Sequence, residues 1–322
     1  MSEDPELVWR SADIRGTVGA PAVGERVTVV ATVDRWVYAL DTRTGQLFWR
    51  YRIRGTLGTG PLIAGGLVIV GTQGRDGQLA AIDLYTGKRR WNDRIGDIAS
   101  PLAIHGNVVY GATQNGLVFA YSIEDGHRRW VTGGAPTRSG PLLVGRHLAV
   151  ATLRDTLVVL EASTGLRVVR APLPATAVAP LALLDDSTLV LSSPSGAVMA
   201  IEIPTGRVRW QVDTEAPVYG APVVARDTVF ALTNEGVLWA IPVNDPDGLV
   251  KASIGGVSVS APVVLRHGVL VATVDGHVIY FDRVTGRRVW MRRAGGELRH
   301  PPIVAQGQIV VAPILGEVLS FR

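Results

Sequence analysis

One motif recurs along this chain: an acidic or polar residue, Thr and Gly three and four positions later, and Trp eight positions later. It reads Asp41, Thr44, Gly45 and Trp49, then Asp83, Thr86, Gly87 and Trp91, and again Asp282, Thr285, Gly286 and Trp290. Softer copies stand at Ser122, Asp125, Gly126 and Trp130 and at Glu202, Thr205, Gly206 and Trp210, while Glu161, Thr164 and Gly165 lead to Val169 where the Trp belongs. In the sixth copy Pro242, Asp245, Pro246 and Val250 replace all four residues. A second landmark is a proline, at Pro21, Pro61, Pro101, Pro141, Pro180, Pro222, Pro262 and Pro302, with successive spacings of 40, 40, 40, 39, 42, 40 and 40 residues. A unit of about forty residues is too small to bury its own apolar faces, so neighbouring units must supply each other's core. That requirement overrides the length prior, by which 322 residues suggest about two domains.

The unit is made of strands. In the sixth, Pro222 to Ala225 is short and apolar, Asp227 to Thr233 alternates, and Val237 to Pro242 alternates again after the polar tip Asn234-Glu235-Gly236. Such runs between glycine-containing turns read as an antiparallel meander. The Trp-bearing segment, such as Arg207 to Val212, adds a fourth strand. The expected fold is therefore all-β, an eight-bladed β-propeller of four-stranded antiparallel blades filling residues 1–322 as one domain. The final unit ends before its fourth strand, which the N-terminal strand at about residues 6–12 supplies to the blade formed by about 300–322. Trp9 precedes Pro21 by the same interval as Trp49 precedes Pro61. Proline has no N–H to donate and so suits the innermost strand, whose channel edge is open. Arginines such as Arg50 and Arg52, Arg128 and Arg129, or Arg207 and Arg209 blunt the exposed outer edge.

Several functions are argued against. No run approaches the roughly 18 apolar residues of a membrane span, so a soluble chain is expected. A net charge of +4 gives too weak a field to suggest a nucleic-acid partner. The absence of cysteine removes disulfides, thiolate metal sites and a cysteine nucleophile. The histidines, His105, His127, His147, His267, His277 and His300, are dispersed, and no pair has metal-ligand spacing on one strand. Ser139-Gly140 and Ser193 to Gly196 lack the strand-to-helix context of a nucleophile elbow, and Gly71 to Gly77 lacks the helix of a phosphate cradle. No catalytic, metal-binding or cofactor-binding residue is expected. The opening residues show no export signal, which leaves a periplasmic or envelope-associated location without its leader, or a cytoplasmic one.

Chain direction reverses at every strand, so the tips joining second and third strands share a face with the crossovers between blades. That face gathers Asp34 and Arg35, Arg75 and Asp76, Arg154 and Asp155, and Asn234 and Glu235. Loops are where propellers bind, because they vary while the strands cannot. Three residues before the landmark proline most units carry a small or aliphatic residue, but Arg138, Tyr219 and Arg299 depart from this, with His300 adjacent. An anion or acidic-peptide contact at the channel mouth is the functional reading, and ordinary solvated surface charge is the alternative.

The pattern Ala-x-Asp-x-x-Thr-Gly-x-x-x-Trp, clearest from Ala39 to Trp49 and from Ala81 to Trp91, resembles the tryptophan-docking repeat of the pyrroloquinoline-quinone-type propellers. The resemblance covers essentially the whole chain. It implies that Trp9, Trp49, Trp91, Trp130, Trp210 and Trp290 pack between neighbouring blades beside the Gly turn, where each offers a large apolar face to the next sheet. Members that oxidise alcohols with the quinone are longer, carry adjacent cysteines over the cofactor, and place an Asp and calcium ligands beside it. Those features are missing here, so no enzyme and no cofactor are expected. In length and repeat number the chain is most similar to BamB-like scaffolds of the outer-membrane β-barrel assembly machinery. That similarity implies a non-enzymatic, protein-binding scaffold at the bacterial cell envelope, with an envelope assembly factor as partner and only indirect membrane contact. A monomer is expected. A ligand-sensing extracytoplasmic propeller of a larger protein is the second reading, and a quinone-dependent dehydrogenase the third.

Overall fold

The computed structural model describes residues 4–11, 14 and 16–322; Ala12, the last residue of the expected N-terminal strand, lies outside the described residues. Eight antiparallel sheets follow one another along the chain. Blade one is Ala22–Val23, Val27–Ala31, Trp36–Asp41 and Leu47–Arg52, paired in that order. Blade six is Val223–Ala225, Thr228–Leu232, Val237–Pro242 and Val250–Ser253. Blade eight takes Ile303–Ala305, Gln308–Val311 and Leu319–Phe321 from the C-terminal end and Leu7–Arg10 from the N-terminal end. There Leu7 lies opposite Phe321 and Arg10 opposite Leu319, with a bulge between Leu7 and Trp9. The fold is an eight-bladed all-β propeller of four-stranded sheets. Two local additions were not expected. Thr56–Leu57 pairs with Leu67–Gln73 beside Leu62–Ala64, and a 3-10 turn occupies Pro246–Gly248 in the lengthened turn of blade six.

The middle strands are buried on both faces; every residue of Val27–Ala31 is buried. Successive side chains of a strand point to opposite faces, and in a propeller both faces meet a neighbouring sheet. Thus Val27, Val29 and Ala31 pack with Val68, Val70 and Ile82 of blade two, while Val30 packs with Val310 and Val318 of blade eight. The outer strands are exposed at alternate positions, and their arginines also tie blades to rings and carboxylates. Arg50 and Arg52 lie 4.9 and 5.6 Å from the Trp36 ring centroid. Arg128 Nη2 meets Asp93 of the preceding blade at 2.6 Å, and its Nε donates to the Tyr121 hydroxyl at 2.9 Å.

The Asp-x-x-Thr-Gly stretch forms the turn into the outer strand. Asp41 Oδ1 accepts the N–H groups of Arg43 and Thr44, each at 2.9 Å, and the Thr44 hydroxyl; Asp83 and Asp282 repeat this arrangement. Bonds from the Thr86 N–H and hydroxyl hold the Asp83 carboxyl below its ordinary pKa, because they stabilise the ionised form. Gly45 and Gly87 adopt φ of 72° and 68°, a region open to glycine. A Cβ on either would stand 2.6 Å from Trp9 and 2.7 Å from Trp49 respectively, so these indoles press on the bare backbone of the next blade's turn.

The indole N–H groups follow one rule. Trp9, Trp49, Trp91 and Trp130 donate to the carbonyls of Thr42, Leu84, Ile123 and Ala162, at 2.9, 2.8, 2.7 and 2.9 Å. In each case the acceptor is the residue after the first position of the next blade's turn motif. Among the described residues, the buried N–H groups of Trp210 and Trp290 have no hydrogen-bond partner. Trp210 faces blade six, whose Asp-x-x-Thr-Gly turn is replaced, and Trp290 faces blade eight, whose outer strand arrives from the other end of the chain.

Candidate functional site

The crossovers converge on a cavity of about 690 Å³ at the channel mouth. Its wall includes Pro21, Pro61, Pro101 and Pro180, the apolar tips Val33 and Ile314, and the candidate residues Tyr219, Arg299 and His300. Small residues permit the crowding: a Cβ on Gly19 would lie 2.4 Å from Gly60. Hydroxyls before the prolines fasten several crossovers to the end of a second strand. Ser100 donates to the Ala112 carbonyl at 3.0 Å, Ser139 to Ala151 at 3.0 Å and Ser258 to Ala272 at 2.7 Å. Thr17 bridges blade one to blade eight through the Ala312 and Pro313 carbonyls, at 2.9 and 2.8 Å. The mouth is therefore held by side-chain bonds of the kind that fix functional loops on a rigid frame. The fastening role of these Ser and Thr residues went unrecognised in the sequence, although a hydroxyl residue before the small-residue–proline pair is visible at Thr59, Ser139 and Ser260.

His300 is half-buried, and its Nε2 accepts the Gly19 N–H at 3.0 Å. Burial, and then the neighbouring Arg299 charge, hold its pKa below the usual imidazole value. Arg299 itself donates from Nε to Glu297 at 2.5 Å, so its charge is partly matched within the chain. Tyr219 is 43% exposed and offers a ring with a polar tip at the cavity rim. Arg138 does not line this cavity. It stands exposed between the buried Thr137 and Ser139, whose hydroxyls both reach the Ala151 carbonyl.

The tips form an outer ring on the same face, and none of their eight candidate residues lines the cavity. Asp34, Arg35, Arg75, Asp76, Arg154, Asp155 and Glu235 are exposed. Arg35 and Asp155 have φ of 71° and 49°, so part of their role is to turn the chain. Asp155 also accepts the Thr176 hydroxyl, and Asp76 lies 3.9 Å from Arg94. Asn234 is half-buried, and its Oδ1 is buried with no hydrogen-bond partner among the described residues.

The quinone of the repeat's namesake enzymes sits with a calcium ion and needs a cluster of oxygen ligands. Among the described residues no group of three His, Cys, Asp or Glu side chains is gathered to hold a metal ion, and the cavity wall is mainly proline, glycine, alanine and aliphatic carbon. The residues present do not fit that group. No helix among the described residues is long and apolar enough to cross a membrane.

Fold and mouth together define a tryptophan-docked eight-bladed propeller with a loop-lined, hydroxyl-fastened channel opening. The chain belongs to the family described as outer membrane protein assembly factor BamB, whose model matches residues 2–138, 178–251 and 249–321. It is 26% identical over 331 residues to the outer membrane protein assembly factor BamB of Xanthomonas campestris pv. campestris, covering 94% of this chain and 80% of that protein. The crystal structure of BamB from Moraxella catarrhalis superposes with a TM-score of 0.82 at 18% identity, over 99% of this chain and 100% of the other. A quinoprotein alcohol dehydrogenase of Pseudomonas putida is 27% identical over 138 residues, only 36% of this chain and 23% of that enzyme. Sequence likeness to that dehydrogenase thus spans only part of the repeat array, while the propeller fold is shared with a quinohemoprotein alcohol dehydrogenase of Pseudomonas putida HK5 over 99% of this chain at a TM-score of 0.74 and 15% identity.

Proposed function

We propose that this chain is a non-enzymatic, protein-binding scaffold of the bacterial cell envelope that serves in the assembly of outer-membrane proteins. The observation that carries the reading is the family match over most of the chain, with relatives named for that role aligned along most of their own length. The partner is another protein, an envelope assembly factor, and it sits on the crossover face. Tyr219, Arg299 and His300 would meet it at the mouth, with Arg138 and the tip residues around them. An aromatic ring and arginines at the edge of an apolar cavity suit a protein interface, where such residues supply much of the binding energy. The donor set at the mouth favours this reading over quinone-dependent oxidation.

The test is genetic and biochemical. Deleting the gene is expected to lower the amount of folded outer-membrane β-barrel protein, read as the heat-modifiable fraction on gels, and the intact gene is expected to restore it. Unchanged barrel levels in the deletion strain would overturn the proposal. Titration of the purified chain with pyrroloquinoline quinone and calcium is expected to leave the quinone spectrum unaltered; saturable binding with dye-linked alcohol oxidation would replace the scaffold reading by an enzymatic one.

A further inference from the structure

The seam between blades six and seven contains a cavity of about 270 Å³ on the side opposite the channel mouth, floored by Phe230, Leu238, Val269 and Phe281. Its origin lies in the docking rule. Val250 faces Ala240 across the sheet, as Trp49 faces Ala39 and Trp91 faces Ala81, so Val250 holds the docking position without an indole. The receiving turn on blade seven is nevertheless complete. Asp282 bonds the Val284 and Thr285 N–H groups, and Gly286 has a φ of 65°. In four other seams an indole touches the equivalent glycine; a Cβ on Gly286 would meet only Ala252, at 3.8 Å.

The seam between blades four and five, which also lacks its Trp, has closed instead: a Cβ on Gly206 would be 2.4 Å from Ala171. The six–seven seam has stayed open. The Arg283 carbonyl, counterpart of Thr42 and Leu84, receives no hydrogen bond among the described residues. Two aliphatic side chains at the cavity, Val250 and Val284, are 62% and 90% exposed, and exposed apolar surface around a pocket marks an interaction site. An apolar cavity of about 150 Å³ is enough to take a benzene ring, so this one has room for an indole.

We propose that the six–seven seam is a binding site for a tryptophan side chain presented by another polypeptide, which occupies the slot left by Val250. The indole ring lies on Gly286 between the two sheets, and its N–H donates to the Arg283 carbonyl. The chain itself specifies this occupant, because the same slot holds the same group in the same orientation at four other seams. The site is separate from the channel mouth and does not rest on the assembly role.

The test uses the full chain and N-acetyl-tryptophanamide as probe, followed by amide chemical shifts. Saturable binding that perturbs Ala252, Val269 and Gly286 is expected. Val250→Trp should fill the slot from within, raise the melting temperature and weaken the probe by at least tenfold on the order expected for loss of one buried anchor. Binding that is equal in the variant, or shifts confined to other residues, would overturn the proposal. Val250→Ala, which leaves the slot open, should bind at least as well as the natural chain, and the raised melting temperature of the tryptophan variant distinguishes a filled slot from a misfolded chain. An unstructured peptide with one central tryptophan should bind more tightly than the amide, and its alanine counterpart should not bind. If the amide binds and the peptide does not, the polypeptide partner is wrong.

Discussion

At the scale of single residues, an indole N–H separates tryptophans that look alike in the sequence. Trp9 donates to the Thr42 carbonyl, whereas the N–H of Trp290, equally buried, has no partner among the described residues. Both Trp9→Phe and Trp290→Phe lose ring volume from a packed site, but only Trp9→Phe also strands a buried carbonyl, so it should cost about 1–2 kcal/mol more than Trp290→Phe. Urea denaturation of the two variants checks this; equal losses would contradict it. His300 gives a pH dependence. Its folded pKa is depressed by burial and by Arg299, below an unfolded value of about 6.5, so the unfolded chain binds the proton more readily. Its stabilisation is complete above about pH 6.5 and is lost as pH falls through the lower folded value. The denaturation midpoint should fall from about pH 7 to about pH 5 and fall less in His300→Gln, whose amide oxygen can still accept from Gly19.

At the scale of elements, closure rests on one short strand. Leu7–Arg10 completes blade eight against Leu319–Phe321 and brings Trp9 onto Gly45 of blade one. Loss of the indole alone is worth about 3–5 kcal/mol, so removing residues 1–11 should destabilise the whole ring by at least that amount, read as a lowered thermal midpoint. An unchanged melt would show that the ring does not depend on this strand. Strand order and closure were legible from the proline beat and the Thr-Gly turn because both are fixed by local backbone chemistry, an unneeded N–H and a positive φ. The unsatisfied N–H groups of Trp210 and Trp290 were not, since the acceptor belongs to the following blade and is missing for a different reason in each. The extra strand Thr56–Leu57 has only two residues and carries no periodicity to read. The missing Trp at Val250 was visible in the sequence; that the neighbouring turn stays ready to receive an indole became apparent only with Gly286 and Ala252 placed.

At the scale of the whole molecule, the sequence assigned loops to faces correctly by counting strand reversals, but it carried no measure of distance from the axis. Tyr219, Arg299 and His300 meet in the cavity because they lead directly into the innermost strand, whereas the tips join the second and third strands and stand farther out. The proposed partner face therefore has an aromatic and cationic inner rim and a mixed-charge outer ring on one frame. The most direct measurement is photocrosslinking in living cells, with a photoreactive residue at Tyr219 or Arg138 on the crossover face and at Lys88 or Ser163 on the opposite one. Discrete protein adducts from the first pair and none from the second are expected. Adducts from Lys88 and Ser163 alone, with none at the mouth, would contradict the assignment of the crossover face as the partner surface.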